Sequence, residues 1–588
     1  MIEELASTAN WLLGPEDASA ALQRSESGLI TGVLTGHGAT ALSEPIASAP
    51  LHLGPRWIFL RALGLIYFSA FYSLIFQIKG LIGPNGILPA ADYLPAVSAA
   101  LHGQRFWYAP TLFWFSWSDH TLMLVTWAGL IASLLVIFNV WPRMALAICF
   151  ISFLSFVSSA RDFAGYQSDG MLLEAGFLLL FFAPPGLWPG LARSHAPSRA
   201  SLFLLKWEWF CIYFESGIVK IASGDQSWRH LTALDDYYQN GPLPTWLGWY
   251  AQKLPHGVHA ATVILTFTVE LLVAWMMFLP RRFRIVCFCI VTPFQLGIAL
   301  TANYTFINYL LLSLGFLLLD DRVFDAIVPQ RIRTFIDRSK TGVTVGMASS
   351  RTAESAMPPA DDHSVQPDHG ASNGLPRWRR WLRTEKMIFA GVFLALILYV
   401  TGSQLMLMLV PGLPFPQTPA RWLQPFRVAE SYGLFAVMTH ARYEIEFQGT
   451  RDGKTWTVYP FRYKPQDVKS APGIYAPYQP RFDWNLWFAS LGPWQNYRFV
   501  VWTEERLLDN EPDVLALFAG NPFGGSPPQQ VRAVIYQYWF TDLKTKREQG
   551  LWWRRELLGE YAPSLEREPD GKIGIRDAPL VDEQQLPQ

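Results

Sequence analysis

Up to Val410 the chain runs in long apolar blocks broken by short polar stretches, and a window of about 19 residues picks out nine candidate membrane spans. They are Ala62 to Ile78, Leu122 to Val140, Met144 to Ser159, Met171 to Ala183, Leu202 to Ala222, Val258 to Leu279, Ile285 to Leu300, Phe306 to Leu319 and Met387 to Val410. Met171 to Ala183 and Phe306 to Leu319 fall short of the roughly 20 residues a crossing helix needs, so each predicts a re-entrant piece or a helix that continues into its polar flank. Beyond Val410 the period changes. Tyr443 to Phe447 alternate, an Asp452-Gly453 pair follows and Thr455 to Tyr459 alternate again, which predicts a β-hairpin. Val531 to Phe540 reads as a further strand, and Trp484 to Leu491 and Glu511 to Ala519 as short helices.

The pattern predicts a polytopic α-helical membrane protein of about nine transmembrane helices with a β-rich α+β soluble domain at its C-terminal end. The expected organisation is an N-terminal cytoplasmic tail over 1–55 and a multi-helix transmembrane domain over 56–319, with extracytoplasmic loops 79–120 and 223–257. A disordered cytoplasmic linker over 320–386, a final transmembrane helix over 387–410 and an extracytoplasmic domain over 411–588 follow. Residues Thr341 to Leu375, rich in Ser, Ala, Pro, Gly and His without an apolar period, carry the linker reading.

Composition agrees with lipid. Charged residues make up 16% of the 588, against about 25% in soluble domains, and hydrophobic ones 51%. The 47 basic and 47 acidic residues cancel, which argues against nucleic acid as a partner. Cys149, Cys211, Cys287 and Cys289 each lie in an apolar run, so no disulfide framework and no metal-ligand spacing is expected. Glu3, Glu4, Glu16 and Asp17 near the start predict no cleaved leader. Arg281, Arg282 and Arg284, then Arg193 and Arg199, and the Asp320 to Glu385 segment with Arg377, Arg379 and Arg380 fall on one side if every span crosses once. That side is cytoplasmic by the positive-inside rule, which puts the C-terminal domain outside: a bacterial inner membrane, or the ER membrane in a eukaryote.

Two stretches carry candidate chemistry. Lys206, Glu208, Glu215, Ser216, Lys220, Ser223, Gly224 and Asp225 cluster on and after the fifth span. Seven residues turn a helix by about 700°, so Glu208 and Glu215 share a face, with Ser216 and Lys220 one turn apart. Intramembrane charges are functional candidates unless paired; the alternative is an internal ion-pair network with Glu270 and Glu174 that orients the helices. The loop Asp225 to Pro255 mixes Trp228, Trp246, Trp249, Tyr237, Tyr238 and Tyr250 with Asp235 and Asp236. It reads either as an interfacial aromatic belt or as a platform that contacts a client, with Trp456 and Trp484 added from the soluble part. His230 and His256 lack the partners of a zinc site and are expected to be hydrogen-bonded loop residues. No P-loop, H-E-x-x-H or G-x-S-x-G is present, so no catalytic residue, cofactor or metal ligand is assigned.

The run Tyr213 to Pro255, Y-F-E-S-G-I-V-K-I-A-S-G-D-Q-S-W-R-H-L-T-A-L followed by P-L-P-T, resembles the signature of the lipase maturation factor family. So do G-L-I-G-P-N-G-I-L-P-A from Gly80, Y-Q-S-D-G-M-L-L-E-A-G-F-L from Tyr166, R-Y-E-I-E-F-Q-G-T-R-D-G-K-T-W from Arg442, F-R-Y-K-P from Phe461, Q-P-R-F-D-W-N-L-W-F-A from Gln479 and G-x-W-W-R-R-E from Gly550. Two departures are Ser168, where the family pattern has Trp, and Tyr478, where it has His. The resemblance implies a chaperone-like membrane protein that assists a secreted client, a lipase, with Glu215, Lys220, Ser223, Gly224, Asp225 and Trp228 as its candidate functional motif. It also suggests a distant likeness to the transmembrane half of the vitamin K-dependent gamma-carboxylase, where a lysine at a similar helix end serves as base. An intramembrane enzyme with Lys220 as base therefore stands as the alternative, and a transporter using Glu208, Glu215 and Glu270 as a third.

Overall fold

The computed structural model describes residues 52–191, 195–332 and 377–577; most of the expected N-terminal tail and the Thr341 to Leu375 stretch lie outside the described residues. All nine apolar blocks form helix. The long ones are α1 (Leu53–Ile75), α2 (Asp119–Ile137), α3 (Pro142–Val157), α4 (Gln167–Phe182), α5 (Arg199–Ala222), α6 (His256–Phe267), α7 (Arg281–Thr301), α8 (Ile307–Gly315) and α9 (Arg377–Leu409). Past α6 the chain widens into a π-turn over Thr268–Leu272 and tightens into a 3₁₀ segment over Val273–Phe278. Among the described residues five helices are long and apolar enough to cross a membrane: Leu53–Ile75, Asp119–Ile137, His256–Phe278, Arg281–Thr301 and Ile388–Leu409. The α5 helix has the length, but its face carries Lys206, Glu208, Glu215 and Lys220. Glu215 and Lys220 point inward, where they find partners.

The basic loops share one end of the bundle. There the Arg56 guanidinium donates to the Leu191 and His195 carbonyls, Arg281 pairs with Asp320 at 2.5 Å, and the Gly54 N–H donates to Asp321. The C-terminal region packs on the opposite end. Its sheet is antiparallel throughout: β1 (Arg442–Thr450), β2 (Thr457–Val458), β3 (Gln530–Phe540), β4 (Trp553–Glu560), β5 (Ser564–Arg567) and β6 (Ile573–Asp577), in the order β2-β1-β3-β5-β6 with β4 also on β3. The hairpin closes around Asp452-Gly453 with Gln448 opposite Val458. Two helices, α10 (Arg481–Ala489) and α11 (Phe499–Leu508), lie against the sheet.

The alternation in β1 does not separate inside from outside, because all nine of its residues are buried. Tyr443, Ile445 and Phe447 enter the apolar core, where Phe447 stacks on Phe482 of α10. The polar set on the other face is covered too. Lys464 pairs with Glu444 at 2.9 Å, Arg555 with Glu446 at 3.0 Å, and Arg442 with Glu444. Burying so many ions is tolerable only because each finds an opposite charge, and the cations Arg442, Lys464 and Arg555 also find backbone carbonyls.

Candidate functional site

Between α9 and β1 the chain runs through residues 428–441 with no regular secondary structure. Such a segment has no ladder for its backbone amides, and buried amides need acceptors. The bundle supplies them from the residues singled out in the sequence. The Glu215 carboxylate accepts the Tyr432 N–H at 2.6 Å; Glu174 accepts the Glu430 N–H at 2.9 Å and the Tyr432 hydroxyl at 2.7 Å. Gln167 accepts the Gly433 N–H at 3.1 Å and the Ser216 hydroxyl the Leu434 N–H at 3.4 Å. We call this segment the strap.

Lys220 sits where the strap meets the bundle. Its ammonium donates to both Glu270 oxygens at 2.9 Å and to the Ser216 and Leu434 carbonyls at 3.2 Å, and the Trp228 ring lies 5.3 Å away. The π-turn places Glu270 opposite Lys220, and the two segments come close because residue 217 is glycine: a Cβ there would stand 2.6 Å from the Leu271 side chain. Of the two readings of the cluster, the ion pair with Glu270 is the one the geometry contains. Glu174 does not pair with a cation; its partners are strap donors. Glu208 is buried on the same helix, and neither of its oxygens has a hydrogen-bond partner.

At the exit from α5, Ser223 donates to the Lys220 carbonyl and accepts the Asp225 N–H. Gly224 adopts φ +78°, a left-handed turn that favours glycine. Asp225 then caps the short helix Gln226–Arg229 by accepting the Ser227 N–H at 2.8 Å and holds the strap by accepting the Met438 N–H at 2.6 Å. Partial burial opposes its ionisation, but the Met438 and Ser227 amides, the Ser227 hydroxyl and the facing His440 outweigh it and keep the carboxyl below its ordinary range. Trp228 is buried and donates its indole N–H to the Phe435 carbonyl at 3.0 Å. All six residues of the candidate motif thus stand at one junction, where they meet the strap or shape the turn beside it.

The aromatic residues of the following loop divide. Trp249 is wholly buried and donates to the Trp552 carbonyl at 3.0 Å. Tyr237 packs on Tyr304 and Phe435, and Tyr238 on His259. Trp246 is exposed, Trp456 is half-buried beneath the Arg532 guanidinium at 4.0 Å, and Trp484 is buried against Tyr166 and Tyr304. Trp246, Tyr250 and the open parts of Tyr237, Tyr238 and Trp456 offer surface to a partner. His256 is hydrogen-bonded as expected but opens α6 instead of lying in the loop: with His259 of the same helix it bonds Asp235 at 2.8 Å. Among the described residues no group of three or more His, Cys, Asp or Glu is placed to hold a metal ion.

Several contacts between bundle and C-terminal region were not anticipated. Arg481, fully buried, grips Asp169 through two bonds of 2.8 Å and donates to the Phe163 carbonyl. Gln77 brackets the same turn, accepting the Arg481 N–H and donating to the Gln479 carbonyl. Asn303 does likewise for Gly473, Tyr475 and Ala476. Arg442 reaches across to the Gln239 and Pro242 carbonyls. The signal for Asp169 and Arg481 was there in the two motifs that hold them, one on each side of the interface.

The description "Lipase maturation factor transmembrane domain" matches residues 54–326, and "Lipase maturation factor C-terminal domain" matches residues 428–563. Human lipase maturation factor 2 is 31% identical over 87% of this chain and 82% of its own length. Bovine lipase maturation factor 1 is 29% identical over 88% of this chain and 91% of its own. No solved structure matches. With two family models matched in order and this identity sustained across most of both chains, the protein belongs to the lipase maturation factor family.

Proposed function

We propose that the protein is a membrane-anchored factor that helps a secreted lipase reach its active fold, by holding it rather than by chemistry. The client class rests on the names of its relatives. The observation that favours a non-enzymatic role is the state of Lys220: four acceptors surround its three N–H bonds, whereas a general base needs a free lone pair at the reacting atom. The rest of the motif is spent on fixing the strap. Its role is to hold the extracytoplasmic domain and the Asp225 to Pro255 loop as one rigid platform, whose open aromatic surface at Trp246, Tyr237, Tyr238 and Trp456 contacts the client. Bilayer and client are then the partners, and no cofactor is needed.

The topology that goes with this role has nine crossings, a cytoplasmic N-terminus and an extracytoplasmic C-terminal domain; the grouping of Arg56, Arg281, Leu191 and His195 at the end away from the strap supports it. A reporter fused after Gln588 is expected to be active outside the cytoplasm and one inserted near Ser350 inside it. Co-expression with a secreted lipase tests the function. Lipase activity should fall without the factor while lipase synthesis stays constant, and Lys220→Arg should keep much of the effect, since arginine remains a cation but cannot act as a base. A Lys220→Arg protein of normal abundance with no effect on the lipase would instead favour the intramembrane enzyme.

A further inference from the structure

Under the strap lies a cavity of about 440 Å³, within the roughly 300–1,000 Å³ of small-molecule sites. Its walls are mainly apolar, drawn from Phe294 and Ile298 of α7, Leu311 of α8, Leu434 and Phe435 of the strap, and Trp484 of α10. Residues at its rim, including Gly165, Gln167 and Val437, are exposed, so it opens at the end of the bundle where the C-terminal region docks.

The polar groups facing the space are few and specific. Gln295 accepts the Tyr213 hydroxyl at 2.9 Å and donates to the Asn308 side-chain oxygen at 2.6 Å. The Asn308 side chain lines the cavity and is almost entirely buried, and its amide nitrogen has no partner among the described residues. A buried donor without an acceptor is costly, so the site lacks one oxygen. Among the described residues no Lys, Arg or His lines the cavity, and Lys220 behind Glu270 already has its N–H bonds occupied. An anionic head would meet the Glu270 carboxylate with no cation free to offset it. A neutral head carrying an ester or hydroxyl oxygen would satisfy Asn308, and its hydroxyl protons would have Glu270 as an acceptor.

We propose that this cavity binds a neutral single-chain lipid with an ester or hydroxyl oxygen, such as a monoacylglycerol, its head at Asn308 and Glu270 and its acyl chain along Phe294, Ile298, Leu434 and Trp484. The site stands independently of the client reading, because it concerns a lipid held by this chain alone. The test uses the full-length protein in phosphatidylcholine nanodiscs and monooleoylglycerol carrying a photoreactive group in its chain. Labelling should saturate, fall on peptides containing residues 294–311 or 433–437, and be displaced by unlabelled monooleoylglycerol or oleyl alcohol. Oleate should compete less well by about 10-fold, the value of one buried hydrogen-bond mismatch. Ile298→Trp, which narrows the cavity where the acyl chain is placed, should weaken the labelling at unchanged thermal unfolding, and Asn308→Leu should weaken it by about 10-fold. Unsaturable labelling spread over the lipid-facing helices, equal competition by oleate, or a folded Ile298→Trp protein labelled like the parent would each overturn the proposal; the competition arms need no variant.

Discussion

Two regions of this molecule are rich in aromatic residues and use them in opposite ways. In the loop from Asp225 to Pro255, Trp228 and Trp249 turn inward and spend their indole N–H groups on the Phe435 and Trp552 carbonyls of the C-terminal region. In residues 105–117, Phe106, Trp107, Phe115 and Trp117 stay exposed, Phe115 at 88%; the Trp107 ring meets Phe426. The second set has the surface of an interfacial belt, whereas the first is the inside of an interface. Aromatic density is higher in the set that stays outside, so it does not predict burial. What does is the company: the first loop follows Lys220 and opens on Asp225, groups that need acceptors and amides from elsewhere in the chain.

The largest expected effect comes from breaking the inward region at its ion pair. Lys220→Met leaves Glu270 buried without its cation and should cost about 3–5 kcal/mol, while Lys220→Met with Glu270→Met should recover most of that loss. Unfolding of the purified variants by heat or denaturant measures both, and a double variant as unstable as the single one would mean the pair is not the unit. Next comes the strap: Tyr432→Phe removes a donor from the buried Glu174 carboxylate and should cost about 1–3 kcal/mol in the same assay.

How much of this junction was readable beforehand follows from which groups do the bonding. The nine helices, the hairpin around Asp452-Gly453 and the Lys220–Glu270 pairing all rest on side-chain pattern, and the sequence carries them. The strap does not show, because its residues bind through backbone N–H and C=O groups that every residue type possesses. Residues 428–441 look like a featureless connector for that reason. A signal was nonetheless present in Glu174 and Glu215: buried carboxylates on apolar helices with no cation in register must take their hydrogen bonds from amides. Trp249 and Trp484 were misjudged as open surface for the converse reason, since a tryptophan's environment depends on which distant strand arrives to cover it.

A smaller effect is expected at the polar edge. Asp225→Ala removes both a helix cap and the Met438 contact and should cost about 1 kcal/mol. Because the folded-state pKa of Asp225 is depressed, its contribution is complete above the ordinary aspartate value of about 3.9 and is lost as pH falls through the lower folded value. The protection of the Met438 amide, its exchange rate relative to the intrinsic rate at each pH, should therefore fall on acidification in the parent and be low at all pH values in Asp225→Ala; a pH-independent difference would deny the carboxylate that role. The smallest effect belongs to the outward region, where Phe115→Ser with Trp117→Ser should change unfolding by no more than about 0.5 kcal/mol while weakening membrane attachment of the 105–117 segment, read by fluorescence quenching from brominated lipid. A large loss of stability would place those rings in an interface after all.

The central claim is that the strap is latched to the bundle, so that membrane and C-terminal regions form one body. A Cβ on residue 433 would stand 3.9 Å from the Val219 Cβ, inside the roughly 3.5–4.5 Å of a disulfide. Among the native thiols only Cys289 is exposed, so Val219→Cys with Gly433→Cys is best placed in a Cys289→Ser background, with a protease site inserted after Ser350 to cut the chain between the two positions. After oxidation and cleavage the account predicts one full-length band on a non-reducing gel that splits into two on reduction. Two fragments without reductant, from a protein that is folded and fully oxidised under the same conditions as a positive control, would contradict it.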